Sequence, residues 1–354
     1  MPFRIRPQTF KVRLVLPALL AAVVAACAEA PKVVTPPPPP PAPTVSLSPR
    51  LIELASAYRH YVTNTTAIAP AFMDGDAVAT SLRTGAQYEP QQLAKGAIAY
   101  GAVVALQDRA FVEGVRIYAK DPAQRRQVAY EILKDPAYAV GLSGSAGAAG
   151  LVISALGNDA QRLYDTGKSV KQAAYDIQKQ PWSKADVPGR EARLANAKSL
   201  SAAAMAGSVD ETARLQLAST GAAPLAAPAA QAVSPPYTQT VVRALAVAAL
   251  AVLGEAGDAN VSTVMGLVTE PNVGMCMNMS KLNLYQCLAV ARPHYEDVFC
   301  LGQHAMMDTG RCMIRATGLP EPYEARFVPS QESINKGMQT KKAPAKKRPA
   351  KKKG

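Results

Sequence analysis

Capping signals recur along the middle of the chain at helical spacing. Ser48-Pro49 reads as an N-cap followed by a first-turn proline, and Leu51, Leu54, Tyr58 and Tyr61 then fall on one stripe, three or four residues apart. The pattern predicts a helix that begins at Pro49. Asp121-Pro122 and Asp135-Pro136 repeat the start signal inside the shared string Lys-Asp-Pro-Ala, with Val128, Ile132 and Leu133 marking an inner face between them. Two helices are therefore expected to begin alike. Helical periodicity also covers residues 90–107, 159–178, 190–205 and 237–255, while few windows alternate like a half-buried strand. The fold class predicted is all-α.

Two stretches refine this picture. In the segment GLSGSAGAAGLVISALG, Gly141, Gly144, Gly147 and Gly150 recur every third residue. Each glycine weakens a helix by about 1 kcal/mol relative to alanine, so close approach of a neighbouring backbone must compensate. No Gly-Lys-Ser/Thr follows, and a phosphate-binding loop is not expected. Residues 241–253 are apolar apart from Arg243, too few to span a bilayer, and predict a central buried helix. The alanine- and proline-rich residues 221–236 read as a loop or linker, so the body is either one domain with a long insertion or two helical regions, 48–220 and 237–326, that meet there.

The N-terminus follows another logic. Arg4, Arg6, Lys11 and Arg13 stand without an acidic residue ahead of the apolar residues 14–26, the charged and apolar regions of an export signal over residues 1–26. The string Val24-Ala25-Ala26-Cys27 resembles the lipobox of bacterial lipoproteins. That resemblance implies cleavage before Cys27 and acyl chains on its thiol and new amino terminus, with the chain lipid-anchored in the bacterial envelope and facing the periplasm. Alanine rather than aspartate at position 28 implies the outer membrane, by the sorting preference of enteric bacteria. The alternative is an ordinary secretory signal cut at a similar site, with Cys27 an incidental thiol. Two or three acyl chains, at about 0.8 kcal/mol per buried methylene, make a stable attachment. Pro36 to Pro41 and Pro43 predict an extended spacer, so residues 27–47 read as a lipidated cysteine with a proline-rich linker.

Charge is concentrated at the ends. The formal net charge is +13, but of 39 basic residues four lie in the signal and eight in the tail, which leaves 27 against 26 acidic residues. The tail cations are Lys341, Lys342, Lys346, Lys347, Arg348, Lys351, Lys352 and Lys353. A lysine, alanine and proline segment of this kind buries no apolar area, so residues 327–354 are expected to be a disordered basic tail, either one that binds a polyanion or a solubilising tail with no particular partner. With an export signal in front, peptidoglycan or lipopolysaccharide is the expected partner rather than nucleic acid.

Four further cysteines, Cys276, Cys287, Cys300 and Cys312, are an even number clustered in an exported chain and imply two disulfides. Residues 281–291 read as a helix, Arg292-Pro293 breaks it, and residues 295–306 read as another. A hairpin about Pro293 brings Cys287 to Cys300 and Cys276 to Cys312. Sequential pairing is the rival. Met275, Met277 and Met279 beside Cys276 offer soft thioethers suited to Cu(I), or alternatively flexible core packing.

Catalytic signals are weak. His60, His294 and His304 stand in no recognisable motif, and Glu296-Asp297 are adjacent, so on a helix they point to different faces. No cofactor and no bound metal is predicted. The reading reached from sequence is an envelope-anchored lipoprotein with a structural or interaction role. A peptidoglycan-acting enzyme or activator is the alternative, and a periplasmic copper-binding module the third.

Overall fold

A computed structural model describes residues 44–226 and 231–323, and within them the fold is all-helical, with no strands. Cys27, the proline linker and the tail lysines lie outside the described residues. The chain runs through α1 (Pro49–Thr66), α2 (Gly75–Ala86), α3 (Pro90–Ala105), α4 (Arg109–Ala119) and α5 (Pro122–Lys134), then α6 (Ser145–Asp176), α7 (Arg190–Ala202) and α8 (Val209–Thr220). Beyond residues 227–230 come α9 (Gln239–Val252), α10 (Val261–Leu267), α11 (Pro271–Val290), α12 (His294–Cys300) and α13 (Thr309–Thr317). A π-helical segment, Leu301–Asp308, joins the last two into one rod.

Local chemistry starts most of these helices. The side chains of Asp74, Asp108 and Asp121 accept the N–H of Ala77, Phe111 and Gln124 at 2.7 to 2.8 Å, each satisfying a donor that the first turn leaves free. Glu89 and Glu270 do the same with both carboxylate oxygens, ahead of Pro90 and Pro271. Asp135 accepts the N–H of Ala137, but the turn it opens is a short 3-10 segment, Pro136–Gly141, and not the second helix expected there. Gly144 precedes α6 with a φ of +82°, a left-handed conformation that favours glycine.

Packing gathers both halves of the chain around one core. The helix α3 lies against α1, α6, α9 and α11, and α6 lies against α12, the π segment and α13. Segments before and after residues 221–236 thus share the same interior. The expected central helix is α9, in which twelve of fourteen residues are buried. Glycines set the closest approaches. A Cβ on Gly150 would overlap the carbonyl oxygen of Gln231, and one on Gly144 the backbone of Phe111, whereas Gly141 has open space around it. A second set was not anticipated: Gly167 of α6, Gly302 and Gly310 let α6 and the π segment to α13 rod touch backbone to backbone.

Candidate functional site

The C-terminal hairpin carries the densest chemistry among the described residues. Disulfides join Cys276 to Cys312 and Cys287 to Cys300, each with Cα atoms 5.7 Å apart, so inner pairs with inner and outer with outer about the turn at Arg292-Pro293. Two helix boundaries differ from expectation. The first helix begins at Pro271, ten residues early, because Glu270 caps it, and the second runs as α12, π segment and α13 to Thr317.

Two arginines of α7 clamp that turn. Arg190 donates from Nε to the Ala291 carbonyl at 2.8 Å and from Nη2 to Ala289 at 3.1 Å, while Arg193 donates to Leu288 and pairs with the Asp297 carboxylate. The carbonyls at the end of α11 have no partner within the helix, and a cation is favoured there by the helix dipole. Asp297 is buried; desolvation pushes its carboxyl up and Arg193 opposes the shift.

Lys281 is the one charged residue of α11, and it points inward. Its ammonium donates to the Ala86 carbonyl at 2.5 Å and to Ser201 Oγ at 2.8 Å, and lies 3.5 Å from the centre of the Tyr88 ring. Three N–H directions thus meet a carbonyl, a hydroxyl and a π face, which is how a buried cation is held. Burial pushes the lysine well below its ordinary value, with Glu89 opposing. The Tyr88 hydroxyl continues the network through Thr309 at 2.7 Å, which reaches Ser280 at 2.9 Å, and burial raises this phenol to about 12. Lysine beside serine resembles a base beside a nucleophile, but the Ser201 hydroxyl lies against the Ala197 and Ala86 carbonyls at 2.6 and 3.0 Å, and both residues are enclosed. The arrangement is structural.

Concave surface lies elsewhere. A cleft of about 900 Å³ runs between α1, α3 and α8, with Arg50, Glu53, Glu89 and Lys95 among its walls. Its lining holds no histidine or cysteine, and Glu89 is occupied in capping α3. Two smaller hollows, of about 280 and 340 Å³, sit against Cys276–Cys312 and Cys287–Cys300 respectively.

The remaining candidate residues are dispersed. His60 contacts Asn64 at 2.9 Å, His294 lies over Gly75 near the Trp182 ring, and His304 pairs with Asp308 at 2.8 Å. Glu296 accepts the Arg292 N–H while Asp297 serves Arg193, so the adjacent carboxylates have separate tasks. Met277 is in the core, whereas Met275 and Met279 are exposed on the far side of α11, because residues two apart on a helix differ by about 200°. Among the described residues no three His, Cys, Asp or Glu side chains gather to hold a metal, and no helix is long and apolar enough to cross a membrane.

Comparison with known protein families, with curated proteins and with solved structures finds no match for this chain. Lys281, Arg190 and Arg193 were not singled out from the sequence. Only the isolation of Lys281, a single charge in twenty residues, could have marked it.

Proposed function

We propose that this chain is an envelope lipoprotein that bridges a membrane to an anionic component of the envelope. The observation that supports this most is the division of charge: apart from the signal and the tail, the chain is close to neutral, with 27 basic residues against 26 acidic, and eight cations stand together near its end. Arg59 binds Asp159 at 2.5 Å and also faces Glu211, Arg125 faces Glu255 at 3.4 Å, and Arg193 is paired with Asp297. Eight cations lie between Lys341 and Lys353, and the lipobox-like Val24-Ala25-Ala26-Cys27 precedes the body. Acyl chains on Cys27 hold the outer membrane from its periplasmic side, the prolines space the body from the lipid, and the tail engages the carboxylates of peptidoglycan or the phosphates of lipopolysaccharide. Such contacts are screened over about 8 Å at physiological ionic strength, so salt weakens them.

Co-sedimentation with purified sacculi across a salt series tests the tail, using the chain beside a form truncated after Thr340. Binding that falls with salt and is lost on truncation is expected. Equal sedimentation of the two forms overturns the role given to the tail. Incorporation of labelled palmitate, abolished by Cys27→Ser, tests the anchor.

A further inference from the structure

The outer face of α11 is built the wrong way round for a helix that ends at water. Its only charge, Lys281, is buried, while Met275, Met279, Leu282 and Val290 are 62, 52, 49 and 74% exposed. At about 100° per residue these four side chains and Gln286 occupy an arc of about 80°, a ridge about 22 Å long on the side opposite Met277, Lys281, Leu284 and Leu288. Exposed apolar ridges bordered by polar groups mark interaction surfaces, and the centres of such surfaces are poor in charge.

We propose that this ridge pairs with the same ridge of a second copy, the two α11 helices running antiparallel about a two-fold axis near Leu282. Two features select a second copy. The face carries no charge, so two copies meet without repulsion along the seam. Its two ends are complementary: flexible methionines project at the N-terminal end, and an apolar hollow of about 340 Å³ walled by Tyr175, Val290, Tyr295 and Phe299 lies on the flank at the C-terminal end. An antiparallel partner brings each methionine end against the other copy's hollow. Four partly exposed side chains and a small hollow make a contact below the roughly 800 Å² per partner of a standard specific interface, which fits a reversible dimer. This pairing goes beyond the bridging role and does not depend on it.

Sedimentation velocity of the full chain carrying Cys27→Ser, over a wide concentration range, tests the pairing. A dimer is expected, and Leu282→Glu, which sets two carboxylates against each other at the axis, should weaken it at least tenfold. Leu282 is half-exposed, so an unchanged melting curve confirms that the variant is folded. In the same Cys27→Ser background, Leu282→Cys should yield a disulfide-linked dimer on mild oxidation, and Tyr130→Cys, somewhat more exposed on α5, should not. A monomer at every concentration overturns the proposal, as does a dimer indifferent to Leu282→Glu. A monomer that floats with phosphatidylglycerol vesicles only while Leu282 is intact overturns it too, and assigns the ridge to lipid.

Discussion

The helices α9 and α11 each contain one charged side chain, and each uses it to close the end of another helix. Arg243 donates to the carbonyl of Leu267, the last residue of α10, at 3.0 Å, and Lys281 donates to that of Ala86, the last residue of α2. Their surroundings differ. In α9 twelve of fourteen residues are buried, but in α11 only six of twenty, and two disulfides hold α11 instead. A helix fixed by burial has no face left over. One fixed by covalent staples keeps an outer face for other use.

If staples replace burial in α11, their removal should have the largest effect. Cys276→Ser with Cys312→Ser opens a loop of 36 residues and should cost about 4 kcal/mol, against about 3 kcal/mol for Cys287→Ser with Cys300→Ser, whose loop is 13. Urea unfolding measures both, and the reverse order would break the loop-closure account of how α11 is attached.

Next comes the buried cation. Lys281→Ala should cost about 3 kcal/mol, from the cavity and from the lost hydrogen bonds of the ammonium to the Ala86 carbonyl and Ser201. Lys281→Met isolates the charge. The folded lysine releases its proton below the unfolded value of about 10.4, so between the two the unfolded chain holds more protons and stability rises with pH. Wild type should therefore gain on Lys281→Met as pH climbs through that window toward about 10.4. Comparing the two cancels the opposing titration of Tyr58 and Tyr61, whose raised phenols destabilise the fold above about pH 10. A difference that does not change with pH would mean that the three partners of the ammonium offset its desolvation.

Smaller effects sharpen the contrast. Arg243→Ala removes one cap at the rim of the core and should cost about 1 kcal/mol. Met279→Ala, on the exposed ridge, should change the stability of the single chain by less than about 0.5 kcal/mol. A cost above about 2 kcal/mol would mean that the ridge is already covered within one chain.

The sequence made the helical class legible because helix starts are chemical and local. Ser48-Pro49 and Asp121-Pro122 begin helices as expected, and Asp74, Asp108 and Ser208 cap α2, α4 and α8 by the same local chemistry. Glu270 was harder to see, since glutamate is not a favoured N-cap, and α11 was placed ten residues short for that reason. Gly144 and Gly150 signalled close backbone contact within one string. Gly167, Gly302 and Gly310 do the same work from positions more than a hundred residues apart, a relation that exists only after folding. The arginine clamp and the lysine network are of that second kind. Arg193 finds Asp297 across 104 residues and Lys281 finds Ala86 across 195, with no local pattern to announce either.

The nested cysteines also govern how errors are avoided during oxidation. Cys276 and Cys287 lie on α11 eleven residues apart, and Cys300 and Cys312 lie on the continuous rod from α12 to α13. At about 1.5 Å per residue each such pair is some 16 to 18 Å apart once helical. A disulfide needs its Cα atoms within about 7 Å. Pairing in order of synthesis is thereby closed as soon as the helices form, and helices form in about a microsecond while thiols are oxidised over seconds or longer. The rods act as rulers that admit only partners from the opposite arm, and the hairpin register then selects the nested pairs.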